Sequence, residues 1–285
     1  MTASTPTSTA DAKVWFITGC STGFGREFAL AALRRGDQVI ATARKIEALD
    51  ELKALGCQVL TLDVTSDDDT VKSVVKTAHG FYGRIDILVN NAGVGLVGAV
   101  EETSSEVVQR AFDVNVFGLL RVTRAVLPYM REQQSGTIAN IGSVAGVVAS
   151  PACGIYSATK YAVAGVTQSL RAEVASFGIK VTVVEPGMFE TALADKFLPI
   201  EGPVAAYEPI VSAILGGTKT LPKGDATKGA QAVVDALTNS GRAADRELPC
   251  RLPLGAIYEA WQYGITTSQK ELADWKDYTN PETFA

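Results

Sequence analysis

Tyr156 and Lys160 stand four residues apart, which on a helix places both side chains on one face. An ammonium near a phenol stabilises the phenolate and lowers its pKa, the tuning that a general acid/base needs near neutral pH. Ser143 follows a short apolar run, Thr137 to Ile141, and its hydroxyl suits a carbonyl oxygen on which negative charge develops. A Tyr-xxx-Lys pair taken alone is more often structural than catalytic. Its company changes the reading, and that company begins with a glycine turn.

Thr18-Gly19-Cys20-Ser21-Thr22-Gly23-Phe24-Gly25 joins the first apolar run to the first helical pattern. Gly19 permits the tight turn, Gly23 lets backbone approach a diphosphate, and Gly25 lets helix and strand pack closely. The free N–H groups at the helix start then face the phosphates, with a hydroxyl available from Ser21 or Thr22. A purely structural turn is the alternative. After the second apolar run come Ala41-Thr42-Ala43-Arg44-Lys45, with no acid before Glu47. A carboxylate there would serve the 2′-hydroxyl of NAD, whereas Arg44 offers a guanidinium fork to a 2′-phosphate and Lys45 adds a point charge. NADP(H) is therefore the expected cofactor. Asp63 is placed to accept from an adenine amino group while Val64 packs beside the ring; helix capping with Thr65 or Ser66 is the alternative. Asn90-Asn91-Ala92-Gly93 offers paired amides and a close backbone approach to a ribose, or else a plain Asn/Gly turn.

The elements that position these groups follow a regular rhythm. Apolar runs at Val14 to Thr18, Gln38 to Ala43, Cys57 to Leu62, Ile85 to Val89, Thr137 to Ile141 and Ile179 to Val184 predict six strands. Helical patterns between them cover Gly23 to Arg35, Asp50 to Leu55, Asp67 to Phe81, Ser104 to Met130 and Tyr156 to Phe177. The strands do not alternate, so both faces are covered, as in a parallel sheet between helix layers. Cys250 to Leu254 predicts a seventh, edge strand, and Asp225 to Thr238 another helix. A loose segment over about 188–222 suits a substrate lid. Residues 255–285 suggest a helical extension. The expected organisation is a tail over 1–12 and one α/β domain over 13–285, an open, doubly wound parallel sheet of about seven strands flanked by helices.

Composition narrows the function. The 285 residues carry 26 Lys+Arg against 31 Asp+Glu, a net charge of −5. No overall field attracts nucleic acid or anionic lipid. No apolar run is long enough to span a membrane. Met1 to Asp11 lacks the pattern of a signal peptide, so a soluble cytoplasmic protein is expected. Cys20, Cys57, Cys153 and Cys250 form no CxxC pair, and His79 is the single histidine, so no metal site is expected.

With these motifs in order, the chain resembles the short-chain dehydrogenases/reductases in their single-domain form. The resemblance rests on Thr18 to Gly25, Asp63-Val64, Asn90 to Gly93, Ser143, Tyr156 to Lys160, and Pro186-Gly187 with Thr191. It implies a Rossmann-type fold and a catalytic set of Asn115, Ser143, Tyr156 and Lys160. Asn115 would hold a helix distortion and a water connected to Lys160, and Lys160 would also bond the nicotinamide ribose. Pro186, Gly187, Phe189 and Thr191 would border the nicotinamide. Gly142 is a departure, since many relatives have serine there. A homodimer or homotetramer is implied.

The expected substrate walls are Val94, Leu96, Val144, Cys153, Ile155, Met188 and Phe189, with Leu193 and Phe197 closing from the lid. These are apolar, and no Arg or Lys stands out in their loops, so an apolar ketone or aldehyde is expected. The C-terminal half resembles retinol and hydroxysteroid enzymes. The leading function is NADPH-dependent carbonyl reduction. An oxidative alcohol dehydrogenase, an NADP-dependent epimerase and a non-enzymatic cofactor-binding scaffold are the alternatives.

Overall fold

The computed structural model describes residues 12–191, 197–279 and 282. The tail expected over 1–12, apart from its last residue, and the wall residue Leu193 lie outside these. Seven parallel strands form one sheet in the order β3-β2-β1-β4-β5-β6-β7. They are β1 (Val14–Ile17), β2 (Gln38–Ala43), β3 (Gln58–Thr61), β4 (Ile87–Asn90), β5 (Gly136–Ile141), β6 (Ile179–Pro186) and β7 (Arg251–Leu254). Strand order reverses between β1 and β4, and in such sheets the crevice outside the strand ends at that point takes the ligand.

Both faces of the sheet are apolar because side chains alternate between two helix layers. Trp15 and Ile17 of β1 join α1 (Gly23–Arg35) and α8 (Ala226–Leu237) in one core. Phe16 points the other way, into a core shared with α3 (Asp68–Tyr82), α5 (Leu119–Gln133) and α6 (Gly154–Val174). The remaining helices are α2 (Asp50–Ala54), α4 (Ser105–Phe112), α7 (Glu208–Thr220) and α9 (Tyr258–Asp274). The helix expected over Ser104 to Met130 is not continuous. A π-helical stretch, Asp113–Gly118, separates α4 from α5 and contains Asn115. Such stretches are short wide turns with α-helix on either side, so the segment still reads as one helix in the sequence.

A buried amide network fixes the helices on the sheet. Asn90 Nδ2 on β4 donates to Thr123 Oγ1 on α5 and to Asn140 Oδ1 on β5, each at 2.9 Å. Asn140 Nδ2 donates to Thr167 Oγ1 on α6 at 2.9 Å. Asn90 is thus a core residue, not a cofactor contact. The network sets the height of α6 against β5, and with it Tyr156 and Lys160. Replacing Asn140 by Ala removes one bond each from Asn90 and Thr167, which keep only Thr123 and the Val163 carbonyl, and breaks the link from β4 to α6. A loss of about 1–3 kcal/mol is expected, read as a lower midpoint in chemical denaturation.

Candidate active site

The first turn of α1 shows why its glycines are required. Gly19 and Gly23 have φ of 73° and 59°, the left-handed region. A Cβ on Gly25 would strike the Gly19 carbonyl and stand 2.5 Å from Asn91 Nδ2. Asn91 ties the turn down: its Nδ2 donates to the carbonyls of Thr18 and Gly19 at 2.9 and 3.1 Å. Thr18 Oγ1 accepts from the N–H groups of Asn91 and Ala92, each at 3.0 Å. The helices α3, α4 and α8 begin with side-chain caps from Asp67, Ser104 and Asp225. By contrast, Thr22 makes no cap bond to α1, whose first turn holds no acid. Its Oγ1 is buried without a partner. The uncapped N–H groups and the close backbone approach fit a diphosphate.

This turn opens on a cleft of about 610 Å³ along the strand ends. Ser21, Phe24, Arg44, Asp63, Val64, Ala92 and Gly93 line it, as do Ser143, Tyr156, Lys160, Pro186, Gly187, Phe189 and Thr191. Arg44 is exposed at the end of β2 and lines the cleft, as do the acids Asp63 and Asp113. Lys45 is exposed next to Arg44, where the chain turns into the Ile46–Leu49 helical turn. Asp63 Oδ1 accepts from Thr65 N–H and Oγ1 at 2.9 and 2.8 Å. The capping role is therefore present, on a residue that also faces the cleft. Arg110 and Lys223 line it too, unforeseen from the sequence. Lys223 arrives there because Gly224 N–H donates to the Met188 carbonyl and Glu190 N–H to the Gly224 carbonyl, a pairing without sequence signature.

At the reacting end Lys160 is buried, and its Nζ donates to the Ile141 carbonyl at 2.9 Å. Burial lowers its pKa to about 8. Nζ stands 5.7 Å from the centroid of the Tyr156 ring. The depressed phenol expected from this pair is not found. Burial pushes Tyr156 up, and a hydrogen bond with Ser143 pulls it partly back. Desolvation is the largest cause, because a charged phenolate loses its hydration on leaving water. Asn115 Oδ1 accepts from Val94 N–H at 2.8 Å, while its Nδ2 donates to the Val94 carbonyl and to Thr159 Oγ1 at 3.0 and 3.2 Å. It thereby joins the loop after β4, the π-helical stretch and α6.

Val94, Met188, Phe189 and Phe197 line the cleft as expected, with Leu198 and Pro199. Leu96 and Ile155 pack in a small core that also holds the cleft residues Val94, Tyr156 and Leu198. Phe197 pairs with Gly95, and a Cβ on Gly98 would meet Ile200 Cδ1 at 2.6 Å.

Residues 13–200 match the family model described as short chain dehydrogenase. The chain belongs to the short-chain dehydrogenase family. It is 42% identical over 205 residues to the oxidoreductase BOA17 of Botryotinia fuckeliana, covering 70% of this chain and 74% of that one. It resembles a solved short-chain dehydrogenase from Streptomyces avermitilis with a TM-score of 0.86 and 40% identity, over 94% and 97% of the two chains. A family member from Burkholderia phymatum, solved in complex with NAD, has a TM-score of 0.77 and 26% identity, over 95% and 96%. The chain is an oxidoreductase of this family, and such proteins bind nicotinamide dinucleotides.

The glycine turn carries a direct test. Gly25→Ala should weaken dinucleotide binding by more than about tenfold, because the methyl must displace the Asn91 amide and the Gly19 carbonyl. Fluorescence titration with NADPH reads the loss.

Proposed function

We propose that the chain is an NADPH-dependent carbonyl reductase for an apolar ketone or aldehyde, running in reverse on the secondary alcohol. The observation that carries this reading is that Ser143 and Tyr156 line one cleft with Lys160, whose Nζ stands 5.7 Å from the Tyr156 ring centroid and donates to the Ile141 carbonyl. When bound, the dinucleotide supplies the hydride. Ser143 holds the carbonyl oxygen and steadies its charge. Burial keeps the Tyr156 phenol protonated, so it acts as the acid in the reductive direction. Lys160, with a pKa of about 8, returns the proton. Asn115 holds Val94 and Thr159 in place beside it.

Arg44, Arg110 and Lys223 form a cationic lining that fits a phosphate-rich cofactor, and Arg44 favours the 2′-phosphate. The walls near Ser143 are apolar, formed by Val94, Met188, Phe197 and Leu198. The reading includes a lid over 188–222. It also includes a cytoplasmic homodimer or homotetramer, from the family resemblance. Among the described residues no helix is long and apolar enough to cross a membrane.

Tyr156→Phe should abolish ketone reduction and leave NADPH affinity within about twofold. Turnover by the purified variant would refute the role of Tyr156. Arg44→Ala should cost NADPH at least about tenfold in affinity and leave NADH unchanged, since only NADPH loses a charge-assisted pair. The pH profile has a definite sign. Lys160 is protonated below its pKa of about 8, so reduction should be flat below that pH and fall above it. Alcohol oxidation should rise through the same pH, because there the lysine must accept the proton.

A further inference from the structure

Glu185 lies on β6 immediately before Pro186, with its side chain fully buried. Arg251 on β7 donates to Glu185 Oε1 through both Nε, at 3.0 Å, and Nη2. Oε2 has no partner. Burial pushes this carboxyl up and the guanidinium pulls it back. A buried ion pair with an orphan oxygen is a poor device for stability, because desolvation offsets the attraction; such pairs are better suited to fixing geometry.

The geometry in question is the turn that carries Ser143. Arg251 Nη2 also donates to the Gly146 carbonyl at 2.9 Å. Gly146 closes that turn: its N–H donates to the Ser143 carbonyl at 2.9 Å, and Ala145 N–H donates to Ser143 Oγ at 3.1 Å. A Cβ on Gly146 would stand 2.9 Å from the Lys160 carbonyl oxygen. On the other side of Ser143, a Cβ on Gly142 would meet Val183 Cγ2 at 2.7 Å and Glu185 Cγ at 3.3 Å. Glu185 therefore fills the space beside Gly142 while Arg251 holds Gly146, and Ser143 is clamped between them. Helix α9 closes the assembly. The Trp261 ring lies 4.8 Å from the Arg251 guanidinium carbon, and a Cβ on Gly264 would stand 3.1 Å from Val148 Cγ2.

We propose that Glu185 and Arg251 are positioning residues for Ser143, and that α9, seated on Arg251 through Trp261, is part of the catalytic architecture. The proposal rests on the reading of Ser143 as the group that holds the carbonyl oxygen. Arg251→Met and Trp261→Leu are each made in the wild-type and Ser143→Ala backgrounds. In the wild-type background kcat should fall by about tenfold or more, with the NADPH Kd within about twofold; in the Ser143→Ala background neither change should lower kcat further. Arg251→Lys should recover part of the loss, because it keeps a charge for Glu185. An equal loss in both backgrounds, or none in the wild-type one, would overturn the proposal. Trp261→Leu keeps the test open should Arg251→Met fail to fold, since it leaves the ion pair intact.

Amide hydrogen exchange over residues 144–148 is read on the same proteins without substrate. Both variants should exchange faster there and not in β1. Unchanged exchange would overturn the positioning role even if the wild-type protein reduces no ketone. Full activity of Ser143→Ala alone would instead strike the reading of Ser143 and the proposal with it.

Discussion

The ammonium of Lys160 is buried at the floor of the cleft, and a buried charge is tolerated only where its surroundings are arranged for it. One donor goes to the Ile141 carbonyl, at the end of β5. The lysine can take that position only if α6 stands at the right height, which the Asn140–Thr167 bond sets. It also needs bare backbone around it. Gly146 packs directly against its main chain, and a Cβ on Gly93 would come within 4.0 Å of its Nζ. The cost of this burial appears in its pKa of about 8, which places a proton donor close to neutral pH.

The remainder of the site is a second solution to close packing. At the head of the sheet the start of α1 is pressed against the glycine turn and the loop after β4, and Asn91 of that loop bonds the turn at Thr18 and Gly19. That leaves helix N–H groups uncapped and directed at the cleft. Those uncapped donors suit an anionic group, and Arg44, Arg110 and Lys223 line the same cleft. Cofactor end and reacting end thus share one crevice at the reversal of strand order.

Much of this is legible in the sequence because it lies in residue type at a fixed offset. The glycine turn, Ser143 and the Tyr156–Lys160 spacing are local, and so are the apolar runs of the strands. What is not legible depends on tertiary environment. Tyr156 shows its neighbour in the sequence but not its burial, and burial decides the direction of its pKa. Asn90 and Asn91 are adjacent and alike, yet one bonds into the core from the last position of β4 and the other bonds the glycine turn from the loop beyond it. Lys223 comes from a segment with no periodic pattern, brought in by two backbone bonds to residues 188–190.

The central claim is transfer of hydride to a carbonyl carbon with proton delivery from Tyr156. Isotope transfer tests it most directly. Wild-type protein is incubated with an apolar ketone panel and NADPH deuterated at C4 on one face or the other, and the product alcohol is examined by mass spectrometry. The expected result is one deuterium on the carbinol carbon with one of the two labelled cofactors, and none with Tyr156→Phe. Alcohol product without label from either cofactor would contradict the account, as would no reduction of any ketone by protein that binds NADPH.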